Sequence, residues 1–203
     1  MNLIGQNQAS INERACHNLM TIGVTISGFG GFKSLISAVT KLQKSSRIPS
    51  ERQRLTLIIA ELTPFQEPFD SVKAAQSLLR TYLYNKTLSL STAQEGQQKK
   101  GDRAVFTAEV PEVYNHLKNL EASADDAALV LGDKWEAMRD DVIDVVRELE
   151  INVDDLLSMS GYDVARRFVT TVGTPQTLHV NDVSGMALPA SLIERIDQES
   201  QDQ

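Results

Sequence analysis

The stretch TISGFGGFKS, Thr25 to Ser34, sets glycines, a lysine and a serine between two apolar runs. These are the residue types of a phosphate-binding loop. Glycines let backbone amides wrap a phosphate, and a lysine followed by serine or threonine meets the outer oxygens. The spacing does not fit. With Lys33 and Ser34 as the lysine–serine pair, the two positions that require glycine hold Phe32 and Ser27. The dinucleotide pattern G-x-G-x-x-G starts at Gly28 and Gly30 and fails at Lys33. No nucleotide and no other cofactor is expected.

Metal and nucleophile chemistry is no better supported. His17 stands beside Cys16, but neighbours on a helix diverge by about 100° and rarely share an ion. His116 and His179 lack a second ligand at helical spacing. The carboxylate pairs Asp125-Asp126, Asp140-Asp141 and Asp154-Asp155 also point apart on a helix. Asp140, Asp144 and Glu148 share a face and read as a solvated acidic stripe. No EF-hand loop, G-x-S-x-G or H-E-x-x-H occurs. The expectation is a protein without catalytic, cofactor or metal residues.

The glycines then ask for a packing role. Gly23, Ser27 and Gly31 recur every four residues, as do Gly30, Ser34 and Ala38. On a helix each set is a smooth strip that lets another backbone approach. Phe29 lies on another face, and Phe32, Leu35, Val39 and Leu42 continue as an apolar stripe. Gly23, Ser27, Phe29, Gly31, Phe32, Leu35, Val39 and Leu42 are therefore the candidate packing and interaction residues. The apolar stretch from Leu19 to Phe32 is 14 residues long with four glycines. A membrane-spanning helix needs roughly 20.

Helical spacing dominates the elements around this stretch. Ser10 is placed to cap INERACHNLM. Ser50 and Gln53 form a capping box ahead of Leu55, Ile58, Ile59 and Leu62. Pro64 and Pro68 end that helix. Asp70 caps the next, with Val72, Ala75, Leu79, Tyr82 and Leu83 on one face. At Leu88 and Leu90, and again at Phe106, Ala108 and Val110, the apolar period becomes two. A β-hairpin of residues 87–92 with 104–110 is expected, the alternative being a disordered loop that joins two helices. Pro111 opens a helix carrying Val113, Leu117, Leu120, Ala124, Ala128 and Leu131. Gly132 interrupts it, and Asp133 with Glu136 starts a second stripe through Trp135, Met138, Val142, Val145 and Leu149. Asn152 caps a short helix ending at Gly161. DVARRFVTTV reads as helix or strand, and Leu188–Ile196 as a last short helix.

The predicted fold class is mainly α, a bundle-like helical domain with one hairpin and an irregular C-terminal segment. The predicted division is 1–48, a helical segment with the glycine-rich stretch; 49–163, the helical core with its hairpin; and 164–203. The 203 residues are 41% hydrophobic and only 5% aromatic, which suits helices packed through Leu, Val, Ile and Ala. The single cysteine excludes an intrachain disulfide. The polar start MNLIGQNQASINER carries no signal-peptide pattern, so a cytoplasmic or virion location is expected.

The net charge of −7 is unevenly spread. Residues 1–103 carry 13 Lys/Arg and 7 Asp/Glu; residues 109–163 carry 4 and 15. Opposite signs along one chain fit docking within the chain or head-to-tail association, or two solvated faces. The basic half has no aromatics interleaved to stack bases, so nucleic acid is not an expected partner.

The segments SLLRTYL, VFTAEVPEV, GDKWEAMRDDVIDVVREL and VTTVGTPQTLHV occur in that order between residues 72 and 180. This half of the chain resembles the C-terminal helical part of phage DNA-circularisation proteins, the tail or baseplate hub proteins of Mu-like phages. The family's β-rich N-terminal domain and its Leu-Tyr-Gly-Asp and His-Pro-Gly-Phe segments have no counterpart here. The resemblance implies a virion structural role without catalysis. Two readings of function follow. The first is a non-enzymatic structural protein binding other chains, including copies of itself. The second is a membrane-active or secreted effector that engages a bilayer through residues 19–42.

Overall fold

The computed structural model describes residues 3–89, 103–149, 156, 158–178 and 190–199. The chain is mainly helical with a small antiparallel sheet. It opens with α1 (Leu3–Asn18) and two short strands, β1 (Leu19–Ile22) and β2 (Val24–Ile26). Helices α2 (Gly31–Ser45), α3 (Pro49–Leu62) and α4 (Gln66–Lys86) follow, the last two joined by a 3-10 turn, Thr63–Phe65. Strands β3 (Leu88–Ser89) and β4 (Arg103–Phe106) precede the long α5 (Val110–Glu148). The chain ends with α6 (Gly161–Arg166), β5 (Thr170–Val172), β6 (Gln176–Thr177) and α7 (Ala190–Glu199).

The chain forms two compact units. Unit 1 holds Met1–Val24, Leu79–Asn119 and Val172–Gln203; unit 2 holds Thr25–Leu78 and Leu120–Thr171. Both are discontinuous, so the linear division at residues 48 and 163 does not coincide with them. The cuts fall inside β2, α4, α5 and β5, and no change of composition marks a cut inside a continuous element.

Unit 1 is built on a sheet of order β3-β4-β1-β6. The expected hairpin pairing is there, with Leu88 opposite Ala104 and Ser89 opposite Arg103. Its second strand stops at Phe106. Thr107–Glu109 is a 3-10 turn and Val110 already belongs to α5. Residues 90–92 lie outside the described residues. The sheet's centre is β1, paired from Leu19 opposite Phe106 to Ile22 opposite Arg103. Leu19, Ala104, Phe106, Leu178 and Ile196 close the core beneath it.

Unit 2 is helical. Its core joins Leu35 and Val39 of α2, Leu55, Ile58 and Leu62 of α3, Phe69 and Val72 of α4, and Leu131, Trp135, Val142 and Val146 of α5. Apart from Phe69 and Val146, these are positions that helical spacing marks. Several expected boundaries move. Helix α3 starts at Pro49 with Ile48 as its cap and no side-chain cap bond, so Ser50 and Gln53 form no capping box. Proline at the first helical position needs no partner for its missing N–H. Pro68 lies in the first turn of α4, where a missing N–H is again harmless, and Asp70 accepts from the Gln66 amide at 2.8 Å instead of capping. Ser10 lies inside α1.

Gly132 does not break α5, and Gly161 opens α6 instead of ending a helix. The two glycines face each other. A β-carbon on either would collide with the other's carbonyl oxygen. Each is glycine because two backbones meet there. The nearby cap of α6 is Ser160, whose hydroxyl accepts from the Asp163 N–H at 3.2 Å while the Asp163 carboxylate accepts from the Ser160 N–H at 3.1 Å. The predicted cap Asn152 and the start of the helix at Leu188 lie outside the described residues.

Candidate functional site

The glycine-rich stretch divides between strand, loop and helix. Thr25 and Ile26 belong to β2, residues 27–30 form a loop, and Gly31 opens α2. The helical strip Gly23, Ser27, Gly31 therefore does not exist. Gly23 separates β1 from β2, and its carbonyl accepts from the Gly173 N–H at 2.8 Å. The reason is pairing. Leu19–Ile22 finds β4 as a partner far along the chain, and the β-branched Val24 and Ile26 suit a strand.

The loop is pinned within unit 2. The Ser27 N–H donates to the Val169 carbonyl at 2.9 Å. Gln76, 5% exposed, donates to the Ser27 carbonyl at 2.8 Å and to the Thr170 hydroxyl at 3.3 Å. The ammonium of Lys73 occupies the space a side chain at Gly28 would need. It lies 5.7 Å from the Phe69 ring centroid and 5.4 Å from that of Phe168. The two rings meet edge to face at 6.1 Å. Of the remaining candidates, Phe29 packs partly buried against the core, Leu35 and Val39 are inside it, and Leu42 is 38% exposed. Gly31 and Phe32 stand at the start of α2. The structure thus brings Phe29, Leu35 and Val39 into one core and leaves Leu42 outside. Neither Gln76 nor Lys73 belongs to a motif in the sequence. A signal for Gln76 was present, since it interrupts the apolar stripe between Val72 and Leu79.

Among the described residues the histidines do not converge on a metal site. His116 stacks on Tyr82 with centroids 4.1 Å apart. The Tyr82 phenol is raised above its ordinary value by burial and by the neighbouring Glu112 and Glu109. The His17 carbonyl accepts from the Thr107 hydroxyl at 3.4 Å. His179, Asp154 and Asp155 lie outside the described residues. Among the described residues, no three His, Cys, Asp or Glu side chains stand close enough to hold one metal ion.

Unit 2 does contain two segments of opposite net charge. Residues 31–62, covering α2 and α3, hold six Lys/Arg and two Asp/Glu; residues 120–148 of α5 hold three and nine. A groove of about 520 Å³ in the basic region is lined by Gln43, Lys44, Pro49, Arg52, Gln53 and Thr56. The Gln43 amide donates to the Thr56 hydroxyl at 2.8 Å and ties α2 to α3 there. A second groove, about 470 Å³, lies between α3 and α5. Ile58, Leu62 and Val142 floor it, and Glu61, Asp141 and Asp144 stand exposed around it. The acidic stripe of the sequence thus resolves differently. Asp141 and Asp144 join Glu61 at an apolar groove, while Asp140 faces Arg139 at 3.4 Å. Only the fold brings Glu61 to α5, so spacing along the sequence shows the acidic residues of α5 but not the groove they border.

Comparison of the chain with protein-family models, with curated proteins and with solved structures gives no match.

Proposed function

We propose that this chain is a non-enzymatic structural protein that acts by binding other protein chains, as a component of a phage tail or a similar assembly. The observation that carries the reading is the sign division of unit 2, with a basic α2–α3 segment and an acidic α5 segment. Charge arranged this way steers and orients association more than it adds affinity. Exposed apolar side chains accompany the charges: Leu57, Leu78, Leu129 and Val130 are each more than half exposed on helices of unit 2. The resemblance of residues 72–180 to tail-hub proteins supports the virion setting.

The bilayer alternative finds less support. Among the described residues no helix is long and apolar enough to cross a membrane. Leu19, Ile22, Leu35 and Val39, apolar side chains within residues 19–42, are buried in the protein. The test is cross-linking mass spectrometry in the native source, paired with liposome flotation of the purified chain. The expected result is stoichiometric cross-links to protein chains and no flotation. Flotation with no protein cross-links would overturn the reading.

A further inference from the structure

The two ends of α3 present complementary surfaces. At its N-terminal end the turn from α2 projects Ile48, which is 57% exposed. Ser46 fixes this turn. Its hydroxyl accepts from the Ile48 N–H at 3.2 Å and bonds the Glu51 carboxylate at 2.5 Å. Glu51 is thereby engaged within the turn, and the exposed cations around the tip are Lys44, Arg47 and Arg52. At the C-terminal end lies the groove floored by Ile58, Leu62 and Val142 and bordered by Glu61, Asp141 and Asp144. Among the described residues none of these three cations or three carboxylates is ion-paired. An apolar tip ringed by cations matches an apolar groove ringed by carboxylates in both respects.

A chain cannot join its own two ends. Both are fixed to one helix, and at 1.5 Å per residue Ile48 and Glu61 stand roughly 20 Å apart. We propose that the partner for the groove is a second copy of this chain, its Arg47–Ile48–Pro49 tip seated between α3 and α5. The contact is heterologous, since different patches meet. Repetition gives a closed ring or a growing filament, not a dimer with two equal halves. The inference rests on the protein-binding reading above and names the partner.

The test is sedimentation velocity of the full chain, raised in concentration to about 1 mM, where even weak contacts show. The wild type is expected to grow beyond a dimer and to dissociate at high salt, which screens the rim charges. Ile48→Asp, with its tip spoiled, and Asp141→Lys/Asp144→Lys, with its groove spoiled, are each expected to stay monomeric. Mixed, they should pair one to one, because the first keeps its groove and the second its tip. Asp126→Lys/Asp133→Lys, an equal charge change elsewhere on α5, should assemble like the wild type. All substituted residues are exposed, and unchanged circular dichroism checks that each variant folds. A wild type monomeric throughout, a tip or groove variant that assembles normally, or a mixture that fails to pair would each overturn the proposal. A monomeric wild type that still cross-links to a different protein in its native source sinks this inference and leaves the protein-binding reading intact. Flotation without protein cross-links sinks that reading itself.

Discussion

In unit 2 the fully buried indole of Trp135 donates its N–H to the Met159 carbonyl at 2.8 Å, inside a core of Leu, Ile, Val and Phe. In unit 1 the large buried ring is Phe106, and the guanidinium of Arg195 lies over it at 3.8 Å with its side chain nearly half exposed. That guanidinium also meets Glu109 at 2.5 Å, and Arg14 pairs with Asp197 nearby. Unit 2 closes by volume and shape, whereas unit 1 closes a smaller core with a sheet and draws on charged groups at its edge. Volume changes should therefore damage unit 2 most, and salt should matter chiefly in unit 1.

The largest expected effect follows from Trp135. Trp135→Ala empties the centre of the unit 2 core and strips the Met159 carbonyl of its indole donor. Substitutions of this kind cost about 3–5 kcal/mol. Urea unfolding at low and high salt should show the same loss. A loss under about 1 kcal/mol would mean that unit 2 is not held by packing as described.

Next is Gly132→Ala. The added carbon meets the Gly161 carbonyl, which is backbone and cannot swing away. Overpacking of this type costs about 1–3 kcal/mol, against the roughly 1 kcal/mol that alanine normally gains over glycine in a helix. Thermal melts should show destabilisation. A more stable variant would contradict the close approach of α5 and α6.

These two residues also mark what was legible in the sequence. Trp135 sits on an apolar stripe at helical spacing, and burial followed from that pattern. Gly132 carries the same letter as a helix breaker. What separates a breaker from a contact is the residue opposite, Gly161, which lies 29 positions away. The strand β1 was illegible for the same reason. Leu19–Ile22 is a short apolar run without alternation, and its ladder to β4 depends on residues 103–106. The candidate groove was half legible. The acidic run of α5 stood out, but its meeting with Glu61, Ile58 and Leu62 is a product of the fold.

A smaller effect tests the cap of α6. Ser160→Ala removes the hydroxyl that receives the Asp163 N–H and should cost about 1 kcal/mol. The Ser160 hydroxyl and backbone N–H hold the Asp163 carboxyl below its ordinary value of 3.8. A depressed folded value stabilises the protein above 3.8, and that contribution is lost as the pH falls through the folded value. The gap between variant and wild type should therefore narrow on acidification from neutral pH. A gap that widens would contradict the capping box.

Smallest is Arg195→Ala in unit 1. A half-exposed pair with a ring beneath it contributes on the order of 1 kcal/mol or less, and salt screens the ion-pair part. Melts at low salt should show a modest loss that shrinks in high salt. A large loss insensitive to salt would remove the contrast between the units.

On the proposal above, the acidic groove of unit 2 receives the basic tip of another copy. Zero-length carbodiimide coupling joins an amine to a carboxylate only where they touch. Applied to an equal mixture of ordinary and nitrogen-15-labelled chains, it should link Lys44 of one isotope to Glu61, Asp141 or Asp144 of the other. Links from Lys44 that never mix isotopes, or no links from Lys44 to these carboxylates at a concentration where the chain associates, would contradict it.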